Sequence, residues 1–476
     1  MIEAFDALWE RTREAFEQER TWRRARTLAL SALVGLGRRT ITGLLTASAQ
    51  QGVDWSASYR MFERERFEAD VLFSAVRRSV GAGLPEGAPL IVALDDTLIR
   101  KRGRRVHGAG WKRDPMGPAF CTNIVWGQRF LQMSAAVPEG MGACRARTVP
   151  IDLLHSPTPI KPRKSAAASA WDEYRRLREA MKVSSVGATR LKGLRASMDA
   201  EPENAARSLI VAVDGSFSNR EVFRRVPQRT TLIGRIRKDA RLFLPPEEST
   251  TPRRGRRAYY GAALPTPEQI RQDASIPWTS VAAWAAGTVH SFDVKTVAPI
   301  RWHGTGGADV RLVVIRPLAY RPRKAAHLLY RNPAYLLCTD PVLPLQNLLQ
   351  AYLWRWEIEV NFRDEKTLLG MGEAQVRTKT AAETVPRFIA AAYALLLLAG
   401  TGQEHPNVVT IPLPKWRKNS PPPRATTGSL IANLRAQIWG KGMGLNITHF
   451  INTQAPDTKP PLITDALPAA VCYAHR

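Results

Sequence analysis

Two short apolar runs, each ending in carboxylates, constrain the fold of this chain more than any other feature. Leu90-Ile-Val-Ala-Leu94 runs into Asp95-Asp96-Thr97, and Leu209-Ile-Val-Ala-Val213 runs into Asp214-Gly215. Short β-branched runs of this kind read as buried strands. A carboxylate in a buried strand is costly unless it pairs with a cation or binds a metal, which makes Asp95 and Asp96 candidate ligands. Asp214 stands at the carboxyl end of its strand, where open α/β sheets place their ligands. Asp before Gly also starts turns, so this residue taken alone has two readings. Ser218 or Asn219 is placed to cap the helix that follows.

Between the two runs, Cys121 to Val137 reads as further strand, followed by a Pro-rich and basic loop around Pro150 to Lys164. Trp171 to about Leu194 reads as one charged amphipathic helix. The stretch from Asp214 to Glu359 is too long for a single connection and must hold an inserted module. Its apolar segments at Tyr259–Tyr260, Val281–Trp284, Thr288–Val297 and Val310–Ile315 are broken by Gly and Pro, which predicts a β-rich insertion. Tyr335 to Asp340 then returns as the last strand of the core.

Downstream, Tyr352, Arg355, Glu359 and Lys366 follow one another at offsets of three, seven and fourteen residues from Tyr352. On a single helix at roughly 100° per residue, all four fall within about 60° of one another, so one carboxylate is flanked by a phenol and two cations. Glu357, Asp364 and Glu365 fall at about 120–140° from Tyr352, on the far side. An ordinary surface helix of alternating charge accounts for those three acids well, and for the shared Tyr-Arg-Glu face poorly.

The spacing Tyr-x2-Arg-x3-Glu-x6-Lys resembles that around the third acid of the Asp-Asp-Glu site in a large group of insertion-sequence transposases. The resemblance implies an α/β ribonuclease-H-like mixed sheet flanked by helices, with an inserted β-rich subdomain and an N-terminal helical bundle. It implies that Asp96, Asp214 and Glu359 are catalytic and hold Mg²⁺ or Mn²⁺, hard ions that favour carboxylate oxygens. Relatives place the first ligand directly before a Thr, which selects Asp96 and leaves Asp95 to orient a ligand or base. Tyr352, Arg355 and Lys366 would hold DNA near the metals. Some relatives carry a Trp four residues before the Thr of the preceding strand, where it supports a flipped base. Tyr335 occupies that position here, as a stacking ring or as a core residue, and Trp302 is the other stacking candidate.

The charge balance agrees with such a substrate. Lys plus Arg number 69 against 42 Asp plus Glu, a net charge of +27 in a chain of 476 residues that is 44% hydrophobic. That excess in a well-hydrophobic protein points to nucleic acid, with a basic membrane-surface protein as the competing reading. The longest strongly apolar run, Phe388 to Gly400, is shorter than the roughly 18 residues of a spanning helix, which predicts a buried helix and no membrane. The first residues carry acids where a signal peptide needs cations, so a cytoplasmic, nucleoid-associated protein is expected. Arg100, Lys101, Arg102, Arg104 and Arg105, with Lys112 and Arg113 beyond, are candidate phosphate contacts. Basic clusters at Arg224–Arg225, Arg235–Lys238 and Arg253–Arg257 would extend that track. Four separated cysteines form no zinc or disulfide pattern and read as small buried hydrophobes. The eight histidines lack any paired spacing, and ordinary structural roles are expected for them.

The expected organisation is a helical, DNA-binding region over 1–82, in which Thr40 caps a helix, although a helical scaffold without DNA contact fits nearly as well. A catalytic domain over 83–375 follows, interrupted by the insertion at about 240–330, and then a C-terminal helical region and tail over 376–476. The expected activity is cleavage of the ends of a mobile element and joining of the 3′-hydroxyl to target DNA. The partners would be double-stranded terminal repeats and target DNA, held by a homodimer on paired ends. A silent DNA-binding descendant and a stand-alone metal-dependent endonuclease are the rivals.

Overall fold

The computed structural model describes residues 1–114, 120–247, 258–320, 327, 329–401, 411, 413–417, 421–422, 424–440 and 466–473. Five helices open the chain: α1 (Ile2–Glu10), α2 (Glu19–Val34), α3 (Ile41–Ala47), α4 (Ser56–Glu63) and α5 (Ala69–Gly83). Their apolar faces are buried, with Phe5, Trp9, Leu28 and Leu33 fully enclosed. Thr40 caps α3 as expected, its hydroxyl accepting the Gly43 N–H at 3.0 Å.

The sheet begins with β1 (Leu90–Arg100), β2 (Gly110–Arg113), β3 (Ile124–Pro138) and β4 (Ala146–His155). Two helices then follow, α6 (Ala168–Ala180) and α7 (Val183–Ala200), where the charge pattern predicts one; the chain breaks at Met181–Lys182. β5 (Leu209–Val213), α8 (Arg220–Phe223) and β6 (Thr230–Arg235) come next. Asn219 caps α8 by accepting the N–H groups of Glu221 and Val222. β3 pairs antiparallel with β1 and β4 antiparallel with β3, while on the other side β5 pairs parallel with β1 and β6 parallel with β5, giving the mixed order of a ribonuclease-H-like core.

The insertion supplies β7 (Leu242–Phe243), α9 (Pro267–Gln272), β8 (Thr279–Ala285), β9 (Thr288–Trp302) and β10 (Asp309–Ile315). A two-stranded ribbon, β11 (Ala319–Tyr320) and β12 (Leu329–Tyr330), leads to β13 (Ala334–Cys338). The insertion is β-rich, but its strands continue the core sheet: β13 pairs with β6, β10 with β13, and β9 with β10, making one eleven-stranded sheet. The fifth core strand is therefore β6, and β13, which the sequence places last in the core, lies antiparallel beyond it. β6 is short and ends in Arg235, so on sequence it looks like part of a basic loop.

After the sheet come α10 (Leu345–Trp354), α11 (Glu357–Thr367), α12 (Lys379–Thr401) and α13 (Thr427–Arg435). Leu348 and Leu349 of α10 pack with Ile210, Ile233, Val313 and Leu336 on one face of the sheet. On the other face, Leu90, Val92 and Leu94 share a core with the N-terminal helices, α7 and α12. α12 extends well upstream of its apolar run and, by length and composition alone, could cross a bilayer. In the fold it is the central core helix, packed against α1, α2, α5 and β4. Pro386 removes one helical N–H donor, and the Gln128 amide lies 3.5 Å from the orphaned Ala382 carbonyl.

Trp9, Phe62 and Phe67 all stack edge-on against Phe388, so residues 1–82 share their core with α12. Phe388→Ala is expected to cost roughly 3–5 kcal/mol and to lower the urea midpoint in one cooperative transition. Circular dichroism and tryptophan fluorescence should give coincident curves; an unshifted fluorescence transition would show that the N-terminal helices fold alone.

Candidate active site

Strand register brings the acids together. Leu94 of β1 pairs with Val213 of β5 in parallel, so Asp95 and Asp214 leave neighbouring strands at the same level, with Asp96 one residue further on. Glu359 sits in the first turn of α11. That helix is held over the same place by Ile358 and Phe362, which pack on Ala93 of β1. Asp95, Asp96, Asp214 and Glu359 line one cleft of about 1650 Å³.

The electrostatics are those of crowded carboxylates. Burial, and then the Asp214 charge, push the Asp95 carboxyl up to about 7. Burial also raises Asp96, against the pull of Arg129 and with a push from Asp214. Glu359 is raised by burial, with Arg355 opposing and Asp214 adding. Cations counter part of this repulsion: Arg355 lies 3.6 Å from Asp95, and Arg129 lies 3.3 Å from Asp96. Asp214 is also held as a turn-former, accepting the Ser216 N–H at 2.9 Å and the Ser216 hydroxyl at 2.6 Å. Asp214 thus both lines the cleft and forms the turn after β5.

The Asp95/Asp96 pair is sorted by strand alternation. Asp95 shares the face of Ala93, toward α11 and Arg355, whereas Asp96 shares the face of Leu98, whose cross-strand partner Arg129 reaches the Asp96 carboxylate. Both reach the cleft, because β1 runs past the end of β5 there.

The Tyr-Arg-Glu-Lys run is not one helix. α10 ends at Trp354 and α11 starts at Glu357, with Arg355 and Trp356 joining them through i→i−3 hydrogen bonds. This tightened turn advances each residue more than 100°, so the single wheel does not hold across it. Glu359 and Lys366 line the cleft, whereas Tyr352 packs into the apolar layer beneath β8 and β9. Arg355 bridges the two levels, its guanidinium 5.7 Å from the Tyr352 ring centre and within ion-pair range of Asp95. Asp364 and Glu365, expected on a solvated far side, are buried instead. Burial raises Glu365 well above the usual range, and the Gln132 amide reaches both its oxygens at 3.1 Å.

The basic loop after β1 is partly used by the fold. Lys101 donates to the Gly372 carbonyl at 2.8 Å, and burial brings its amine down to about 8. Arg104 sits between Trp111 and Trp126, and Arg100 pairs with Asp114 at 2.7 Å. Arg102 lines the cleft and Arg105 is exposed. Arg38, Arg113, Arg363 and Arg377 complete the basic wall. No spacing marks Arg38, Arg129 or Arg377, since each arrives from a different element. Arg224 and Arg225 turn instead to the His303 carbonyl and Glu221, and Arg237 pairs with Asp239. The Arg253–Arg257 cluster lies outside the described residues.

Two stacking candidates are occupied elsewhere. Tyr335 is 4% exposed and its hydroxyl donates to Glu268, so its ring offers no face to a base. Trp302 packs edge-on against Phe223 in the core. Of the cysteines, Cys338 and Cys472 are buried as expected, but Cys121 is exposed.

Four carboxylates gathered in one cleft, with burial and the neighbouring Asp214 charge raising Asp95, are a donor set that would fit hard divalent ions, whose charge would favour the ionised carboxylates. The sign of the pH effect follows. A carboxyl raised from 3.8 to about 7 binds its proton more tightly in the folded protein. Its contribution to stability is therefore complete below about pH 4 and is lost as pH rises toward 7. In metal-free protein, wild type should lose melting temperature relative to Asp95→Asn across that window, and Mg²⁺ should shrink the difference. A flat difference curve would show that Asp95 is not crowded.

No curated protein matches the chain. A family model described as "DDE superfamily endonuclease" matches residues 13–306, which include both aspartate strands and end before the helix of Glu359. The match covers more than half of the 476 residues, and with the carboxylates converging in one cleft of a ribonuclease-H-like sheet, the chain belongs to the DDE superfamily endonucleases.

Proposed function

We propose that this protein is a DNA transposase that cuts the ends of a mobile element and joins the freed 3′-hydroxyl to target DNA. The observation that carries the reading is the cleft itself, with four carboxylates at its floor and arginines from at least four elements along its rim. Asp96, Asp214 and Glu359 would hold two Mg²⁺ or Mn²⁺ ions. Such a pair activates the attacking oxygen and stabilises the leaving one.

The protein's own groups do the rest. Lys366, beside Asp96 in the cleft, is placed to receive a DNA phosphate, as are Arg102 and Arg363. Arg355 has a buried Nε without a hydrogen-bond acceptor, and its ion pair with Asp95 holds that carboxylate facing α11. Tyr352 acts one step away, as the platform under Arg355. Phosphate contacts of this kind bind any sequence, and recognition of terminal repeats would fall to surfaces such as the N-terminal helices. Cutting and joining two ends calls for a dimer on paired ends, acting on DNA in the cytoplasm.

The test incubates purified protein with its own genomic flanks and Mg²⁺, scoring cleavage and joining separately. Glu359→Gln is expected to lower both at least about 1000-fold, a barrier increase of about 4 kcal/mol, while retaining DNA binding. Cleavage without joining would favour a stand-alone endonuclease, and binding without cleavage in wild type would favour a silent DNA-binding descendant.

Asp95→Asn and Asp96→Asn separate the two neighbours. Loss of all activity is expected for Asp96→Asn, and residual activity with a raised Mg²⁺ requirement for Asp95→Asn. The reverse order would make Asp95 the ligand. Lys366→Ala should weaken binding alike on all sequences and make it less salt-dependent, by about one counterion.

A further inference from the structure

We propose that His107, His155 and Glu383 form a second metal site, for a divalent ion of the zinc class, that pins the basic loop following β1 to α12. These residues come from three elements: the loop between β1 and β2, the last position of β4, and the second turn of α12. Among the described residues they are the only three His, Cys, Asp or Glu side chains whose ligand atoms all lie within 4.8 Å of one another. Glu383 Oε1 stands 3.4 Å from His155 Nδ1 and 3.7 Å from His107 Nε2. A tetrahedral ion with bonds of about 2.0–2.1 Å needs ligand atoms roughly 3.3–3.4 Å apart, so small side-chain movements would close the site.

The surroundings hold the two imidazoles for this task. The side chain of His155 is 2% exposed, and its ring packs on Phe130 at 4.9 Å between centres. Gln128 lies 3.3 Å from His155 Nε2 and donates to the His107 carbonyl at 2.9 Å. With an ion on Nδ1 the proton of His155 would sit on Nε2, and Gln128 could accept it by turning its amide oxygen, which is buried without a partner, toward the ring. Gly108 has φ +68°, and a Cβ there would stand 2.2 Å from His155 Cε1. The loop therefore passes directly over the ring, which a side chain at residue 108 would prevent. His107 and Glu383 are partly exposed, leaving one side open for a water ligand. Lys379, on the same helix as Glu383, is the nearby cation that a bound ion would have to tolerate.

The ligand chemistry differs from that of the cleft. Two imidazoles and one carboxylate suit zinc-class ions, whereas all-carboxylate sites suit magnesium. The site is nonetheless coupled to the cleft by position. The loop it would clamp carries Lys101, Arg102 and Val106 of the cleft wall, and the His107 N–H donates to the carbonyl of Arg377, another wall residue. An ion here would stiffen one basic rim of the DNA path without touching the catalytic carboxylates.

The experiment strips full-length protein of metal and titrates it with Co²⁺ in excess Mg²⁺, which occupies the carboxylate cleft. Wild type and Glu359→Gln should each take up one equivalent, with the intense visible absorption of four-coordinate Co²⁺. His107→Ala and Glu383→Gln, both at partly exposed positions, should bind at least about 100-fold more weakly with unchanged far-ultraviolet circular dichroism. Co²⁺ or Zn²⁺ should also slow tryptic cleavage within Arg100–Arg105 in wild type but not in His107→Ala. Wild type without the band, or His107→Ala with wild-type affinity, would overturn the proposal and leave a hydrogen-bonded His-Glu cluster. Loss of Co²⁺ binding in Glu359→Gln alone would overturn it too, by assigning the ion to the cleft.

Discussion

Mutual repulsion among carboxylates gathered where β5 ends beside the middle of its parallel neighbour β1 is the constraint on which the rest of this structure depends. Asp95 and Asp214 leave β1 and β5 side by side, with Asp96 next to them and Glu359 above. No core would gather four such groups for stability, because desolvation and like charge both oppose it. The fold has to impose the arrangement. Parallel pairing of β1 with β5 fixes two of the acids, and packing of Ile358 and Phe362 on Ala93 fixes the helix of the third element.

The large buried core supplies the rigidity that this requires. α12 ties the N-terminal helices to the sheet, and the loop between α11 and α12 is tied in turn to the N-terminal half. Arg39 is 1% exposed; its guanidinium donates to Ala32 and Leu368, and its backbone N–H to Glu373. Gly370 has φ +55°, and a Cβ there would stand 2.5 Å from a Glu373 oxygen, so a glycine is needed where this loop turns back toward Arg39. The same loop offers the Gly372 carbonyl to Lys101, so one wall of the cleft is braced from both ends of the chain.

Beneath the cleft, a layer of buried polar groups takes the place of simple apolar packing. Glu365 meets Gln132 of β3, while Asn361 donates to the Thr148 carbonyl of β4 at 3.1 Å. The Tyr393 hydroxyl of α12 lies 3.4 Å from Asp364. Directional bonds of this sort fix the rotation of α11 about its axis more narrowly than apolar contacts do. That rotation decides where Glu359 points.

The sequence by itself determined the fold class and the two acid-bearing strands. Leu90–Asp96 and Leu209–Asp214 read as strands because buried β-branched runs have few other uses, and their carboxylates stood out because burial is costly to them. The β character of the insertion and the cap at Thr40 were equally local. Tertiary structure alone decided what depends on partners distant in sequence. It broke the Tyr-Arg-Glu-Lys run at the Arg355–Trp356 turn, sending Tyr352 under the sheet while leaving Glu359 in the cleft. It buried Asp364 and Glu365, made β6 a core strand, and brought Arg129 to Asp96 and His107 to His155. Spacing along a chain specifies which side chains share a face of one element, and only the pairing of elements specifies what that face meets.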